Sequence, residues 1–200
     1  MVHHAISINA VGDKHEFDVE KWLPTSNSND LPERQPSTGL DVLIVGAGMG
    51  GLTTALECWR KGHNVLGILE RNDGPVYSGD IIVMLPSAVS VVRHWPAMQR
   101  DMDAEQVNAV VSYETHRGEH VYGPTVPSYN DAEHRQEREE KGHRPFVAPA
   151  QIRSTFYRML LRQVARLGMS IEYGKTVRSY FEDERQGKGG VVLQDDEYVY

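Results

Sequence analysis

With 200 residues, 40% of them hydrophobic and 24% charged, the chain has the make-up of a globular domain, which excludes fibrous and wholly disordered classes. A formal net charge of -7 gives no general attraction to a phosphate backbone or an anionic lipid surface, so no nucleic-acid partner is expected. The one cysteine, Cys58, excludes an intrachain disulfide and a multi-cysteine metal site. No apolar run reaches the roughly 20 residues of a membrane-spanning helix, so the expectation is a cytoplasmic protein with no membrane segment in this chain.

Residues 1–40 are polar, carry Pro24, Pro32 and Pro36, and read as an N-terminal extension with at most short local structure. Order is expected from Asp41. Val42, Leu43, Ile44 and Val45 form a continuous apolar run, the pattern of a strand buried on both faces of a parallel sheet. A glycine turn from Gly46 to Gly51 follows, and Leu52, Ala55, Leu56 and Trp59 then recur at helical spacing. Gly62 ends that helix and Asn64 to Leu69 resumes as a second strand, which completes a βαβ unit with a right-handed crossover. Cys58 lies on the helix and reads as a small packing residue rather than a reactive thiol.

Farther along, Ile81 to Trp95 is apolar, with Pro86 expected in a turn or a first helical turn and Ala88, Val91, Val92 and Trp95 at helical spacing. Gln106 to Tyr113 and Glu119 to Tyr122 read as extended segments of a hairpin around Arg117 and Gly118. The block Glu133 to Arg144 mixes both signs of charge and reads as a solvated loop or a short exposed helix. Its His134 and His143 lack any Cys or His pattern for zinc, and no metal is expected. Phe156, Leu160, Val164 and Leu167 predict another helix, stopped by Gly168, with Arg158 and Arg162 as surface charges. Met169 to Tyr173 reads as a further strand, and Gly187 to Gly190 as a turn before Val191 to Leu193. The expected organisation is an extension over 1–40 and an α/β domain over 41–200, with an inserted hairpin and charged loop around 106–146.

The glycines Gly46, Gly48 and Gly51 stand in GxGxxG spacing, and each position has its own physical requirement. Gly46 permits a tight exit from the strand, Gly48 removes a side chain that would block a pyrophosphate, and Gly51 lets the helix approach the sheet. The orphan amides at the helix start, with the positive end of its dipole, suit phosphate oxygens. Glu70, at the end of the second strand, can accept hydrogen bonds from an adenosine ribose and would oppose a 2'-phosphate. Together these features point to an adenine-dinucleotide site. A glycine turn that only packs a helix on a sheet is the alternative.

The segment DVLIVGAGMGGLTTALECWRKGHNVLGILER, Asp41 to Arg71, resembles the opening of the aromatic-ring hydroxylase family of FAD-dependent monooxygenases. GDIIVMLPSA, from Gly79, is similar to that family's Gly-x-Gly-Ile segment leading to Pro-Asn-Ala, with Ile81 in place of the second glycine and Ser87 in place of the asparagine. An isoleucine cannot freely adopt glycine's positive-φ conformations, so this loop is expected to depart from the family's geometry. RSTFYRMLLRQVARLG, from Arg153, resembles the family's Arg-x-x-Leu helix, with Phe156 at the leucine position and Tyr157 where histidine is frequent.

The resemblance implies a Rossmann-like FAD-binding domain of the glutathione-reductase type. It also implies FAD as cofactor, NADH or NADPH as co-substrate, and insertion of one oxygen atom from O2 into a small aromatic, enol or alkene substrate. Gly46, Gly48, Gly51, Glu70, Arg71, Val83 and Arg153 are the implied cofactor-binding residues. No catalytic residue is assigned, and Tyr113, His116 and Tyr157 are left without a role. Because the resemblance covers only the first part of a typical member, the domain is expected to be incomplete and FAD to be held weakly, and an inactive truncated form is one outcome. The alternatives are another FAD or NAD oxidoreductase and a noncatalytic adenine-dinucleotide-binding protein.

Overall fold

A computed structural model describes residues 31–79, 81–84, 86–104, 110–125, 136, 140, 141 and 150–200. His134, His143 and most of the charged block, the first part of the predicted extension and residues 105–109 of the predicted hairpin lie outside the described residues. In chain order the elements are β1 (Asp41–Val45), α1 (Met49–Arg60), β2 (Asn64–Leu69), β3 (Ile81–Val83), α2 (Pro86–Val92), α3 (Pro96–Ala104), β4 (Val111–Glu114), β5 (His120–Thr125), β6 (Ala150–Ile152), α4 (Arg153–Arg166), β7 (Ile171–Glu172), β8 (Val177–Asp183), β9 (Lys188–Leu193) and β10 (Tyr198–Val199). They fall into two units, Met1–Ser78 with Tyr157–Tyr200, and Gly79–Phe156.

In the first unit β1, α1 and β2 make the expected βαβ unit. β1 and β2 run parallel with Asp41 opposite Asn64 and Val45 opposite Leu69, and β7 adds in parallel on the other side of β2. Leu52, Ala55 and Leu56 of α1 are buried, as are Ile44 and Ile68 of the sheet. On another face Leu69 packs with Val191 and Leu193 of the antiparallel meander β8 to β10, with Leu43, Val177 and Val199 around them. Burial on both faces does not hold along the whole of β1: Val45 is 41% exposed and Leu66 of β2 is 44% exposed. Among the described residues β1 is an edge strand of this three-stranded sheet, with β2 at its centre.

The end of α1 is tied down by residues that precede β1. Gln35 N donates to Arg60 O at 2.8 Å and Thr38 N to Gly62 O at 3.1 Å. Arg34 donates from Nε to Trp59 O at 3.0 Å and from Nη2 to His63 O at 3.1 Å, with its guanidinium 5.3 Å from the Trp59 ring centre. Gly62, at φ +88°, makes the left-handed turn that stops the helix, and a Cβ there would lie 2.1 Å from Pro36 O.

In the second unit β3 pairs antiparallel with β6, Ile81 opposite Ile152 and Val83 opposite Ala150. Pro86 opens α2, where a proline's missing N–H costs least. The sequence reading had no counterpart for α3. Its Ala97, Met98 and Met102 are buried with Trp95 and Val92, and Gln151 Nε2, itself buried, donates to Met102 O at 2.8 Å. β4 and β5 form the hairpin, which extends past the expected Tyr122 to pair Thr125 with Val111. Among the described residues no helix is long and apolar enough to cross a membrane, and no group of three His, Cys, Asp or Glu could hold a metal.

Candidate dinucleotide site

The turn after β1 is built as its glycines require. Gly46 has φ +98°, where an L side chain is strained, and its N–H donates to Leu69 O at 2.7 Å. A Cβ on Gly51 would lie 1.8 Å from Gly46 O, so α1 sits against the strand exit more closely than any side chain allows. Gly48 is the N-cap of α1 at φ -73° and ψ 177°, makes no side-chain cap and is followed by no acidic residue in the first turn. A Cβ on Gly48 or Gly50 would meet nothing within 4 Å. The helix start is thus an uncapped positive end beside open space, which fits an anionic group.

Glu70 closes the other side of the turn. It is 9% exposed; Oε2 accepts from Ala47 N at 2.8 Å, and Oε1 from Asn72 N at 2.9 Å and Asn72 Nδ2 at 2.7 Å. An ionised carboxylate has about four acceptor sites. Three are met among the described residues, by Ala47 N and by the backbone and side-chain nitrogens of Asn72. Arg71 is exposed in the bend that follows.

Around this carboxylate stands a group of phenols. Tyr157 of α4 is buried and donates from Oη to Ala47 O at 2.9 Å, and its ring meets that of Tyr77 edge to face at 5.9 Å. The Arg158 guanidinium lies 4.7 Å over Tyr77. Arg158 and Arg162, expected as surface charges, are half-buried, and Arg162 Nε is fully enclosed; for Arg158 the face of the Tyr77 ring replaces part of the water around the guanidinium. Burial pushes the Tyr77 hydroxyl up, opposed by Arg158. It pushes Tyr173 up more strongly, with Tyr157, Tyr77 and the Glu70 carboxylate adding in the same direction. The Cys58 thiol is also raised, by burial and then by Glu57, which keeps it protonated and unreactive.

Within the second unit, Gly79 has φ +120° and a Cβ there would lie 2.4 Å from Arg153 Cδ. The Arg153 side chain therefore runs across Gly79, and no other residue fits beneath it. Ile81 lies in the extended strand β3, 54% exposed, so the isoleucine is accommodated without strain: the left-handed conformation falls on Gly79. Val83 ends β3, 44% exposed.

Residues 41–84 match the FAD binding domain family model. The chain is 67% identical to the FAD-dependent monooxygenase mdpD of Emericella nidulans over 93% of its length, and 63% identical to the FAD-dependent monooxygenase dmxR9 of Cryptosporiopsis sp. over 98%. Relatives at 45 to 56% identity carry the same name, FAD-dependent monooxygenase. The chain spans 37% and 40% of the length of those two relatives. Among solved structures, the crystal structure of FqzB is 25% identical at TM-score 0.62, covering 85% of this chain and 36% of that one. CtdE in complex with FAD and substrate 4, at 24% identity and TM-score 0.60, covers 80% of this chain and 35% of its own and shares the fold.

The spacing of Gly46, Gly48, Gly51 and Glu70 in the sequence pointed to the turn that the fold builds here. Sequence reasoning left Tyr157 unassigned and did not single out Tyr77 or Tyr173. Tyr157 stands four residues after Arg153 on the same helix, and only the fold brings it to Ala47.

Proposed function

We propose that this chain carries the ADP-holding part of the FAD site of a monooxygenase that uses NADH or NADPH and O2 to insert one oxygen atom into a small aromatic, enol or alkene substrate. The observation that carries the reading is the uncapped start of α1 beside open space at Gly48 and Gly50, joined to the buried Glu70 carboxylate. The names of its relatives support the reaction class.

In this reading the amides of Gly48 and of the first turn of α1 receive the diphosphate, Gly51 holds the helix close enough for them to do so, and Glu70 accepts from the ribose. Arg71, Val83 and Arg153 are further cofactor contacts. FAD, when bound, supplies the redox chemistry, taking a hydride from the nicotinamide and activating oxygen. The protein's part is to bind, orient and shield. A domain of the glutathione-reductase type over 41–200, an extension over 1–40 and a cytoplasmic location complete the proposal.

The test is isotopic. Purified protein should bind FAD and, given reduced nicotinamide and ¹⁸O₂, place one labelled oxygen in an electron-rich aromatic or enol substrate from a panel. Oxidation of nicotinamide with reduced products and no label in any substrate would refute the monooxygenase reading.

A further inference from the structure

We infer that Tyr157 is a positioning residue of the dinucleotide site: its phenol sets the direction in which the Gly48 amide is offered to the cofactor's diphosphate. The inference rests on the reading of the glycine turn given above. Ala47 lies between the first two glycines, and both of its backbone polar groups are held by side chains from elsewhere. Its N–H donates to Glu70 Oε2 at 2.8 Å, and its carbonyl accepts from Tyr157 Oη at 2.9 Å.

The peptide bonds of this turn are trans, and in a planar trans peptide the C=O and the following N–H point in opposite directions. Fixing Ala47 N–H on Glu70 therefore sends the Gly46 carbonyl the other way. That direction is toward α1, as the 1.8 Å approach of Gly46 O to a Cβ on Gly51 records. The same rule governs the next peptide. With the Ala47 carbonyl turned inward to a buried phenol, the Gly48 N–H must turn away from it, at the residue where a Cβ would meet nothing within 4 Å. Tyr157 is 6% exposed and packed edge to face on Tyr77, so its hydroxyl cannot follow a rotating carbonyl. Glu70 thus orients one peptide of the turn and Tyr157 the other.

Tyr157→Phe keeps the ring and its packing while removing the donor. Loss of one hydrogen bond that organises the turn should weaken FAD and ADP binding by about three- to tenfold. The experiment compares the full wild-type chain with the variant by titration of FAD, ADP and adenosine, by ³¹P NMR of bound ADP, and by thermal unfolding without ligand. The expected result is weaker FAD and ADP binding and shifted ³¹P resonances, with adenosine affinity unchanged. Unaltered ADP affinity and ³¹P resonances would overturn the inference, as would an equal loss for ADP and adenosine, which marks a general structural defect. Wild-type chain that binds neither FAD nor ADP would remove the reading of the site itself and the inference with it. Should the phenylalanine variant fail to fold, 3-fluorotyrosine at position 157 retains ring and hydroxyl. Its ¹⁹F resonance is expected to move when ADP saturates the site, and an unmoved resonance overturns the inference.

Discussion

Added methyl groups at Gly48 and Gly51 should fail for opposite reasons. At Gly51 the new carbon would overlap the backbone oxygen of Gly46 at 1.8 Å, and neither partner is a flexible side-chain end. Gly51→Ala should therefore destabilise the unliganded fold by about 2 kcal/mol or more, read by denaturant unfolding. Gly48 has an ordinary φ of -73° and open space around its Cβ, so Gly48→Ala should leave unliganded stability within about 0.5 kcal/mol while FAD affinity falls at least about tenfold. Equal effects of the two changes on stability would contradict this assignment. Tyr173 gives a third test, because its Oη is buried with no hydrogen-bond partner among the described residues. Removing it relieves a desolvation penalty, so Tyr173→Phe should be neutral or stabilising by up to about 1 kcal/mol at pH 7. The pH dependence has a definite sign. Tyr77 and Tyr173 are both raised in the fold, so they keep their protons above the pH of about 10 at which the unfolded chain releases them. Stability is then undiminished below about pH 10 and is lost as pH rises beyond it. Unfolding free energies at pH 9 and 11 should differ less in Tyr173→Phe than in the wild type, and an identical slope would show that Tyr173 does not contribute.

β1, α1 and β2 were legible from sequence because a continuous apolar run, a 3.6-residue period and a second run each have one simple cause, and the glycines between them fall where a turn and a close approach demand them. Elements whose pattern depends on distant partners were harder. α3 carries Met98 and Met102 four residues apart, but its mean composition is polar and its packing partners, Trp95 and Gln151, come from outside the helix. Strand β7 was expected over Met169 to Tyr173 and is confined to Ile171–Glu172, opposite Ile68 and Leu69 of β2; Tyr173 follows it in a turn beside the phenol group. Residues 34–38 gave no sequence signal for docking, being polar and proline-rich, yet Arg34 donates to Trp59 O in the last turn of α1 and to His63 O just beyond it, and lies over the Trp59 ring. Cations and donors at a helix C-terminus satisfy orphan carbonyls and the dipole together. Arg34→Ala should cost about 1 kcal/mol, with Arg34→Lys recovering only part of it because an ammonium cannot bridge both carbonyls while stacking on the indole. Hydrogen exchange should then quicken over the last turn of α1 ahead of β2. Uniform exchange along the helix would argue against a cap.

At the scale of the molecule, cofactor type is better supported than turnover. In the proposed reading the first unit handles phosphate and ribose: the start of α1, the peptides of Ala47 and the Glu70 carboxylate would address the part of FAD that ADP shares. Arg153 and Val83, the candidates for the remainder, belong to the second unit, and the whole chain spans 37% and 40% of two monooxygenase relatives. If the ADP half carries the binding, this 200-residue chain should bind ADP within about tenfold of FAD, a difference of about 1.4 kcal/mol. Arg153→Ala should then weaken FAD more than ADP, because the Arg153 side chain lies across Gly79, a residue of the second unit. Calorimetric titration of both ligands on both chains measures the two terms separately. FAD bound more than about a hundredfold tighter than ADP would mean that these residues grip the flavin end as firmly as the nucleotide end. Equal losses for FAD and ADP in Arg153→Ala would move that arginine from the flavin side of the site to the diphosphate.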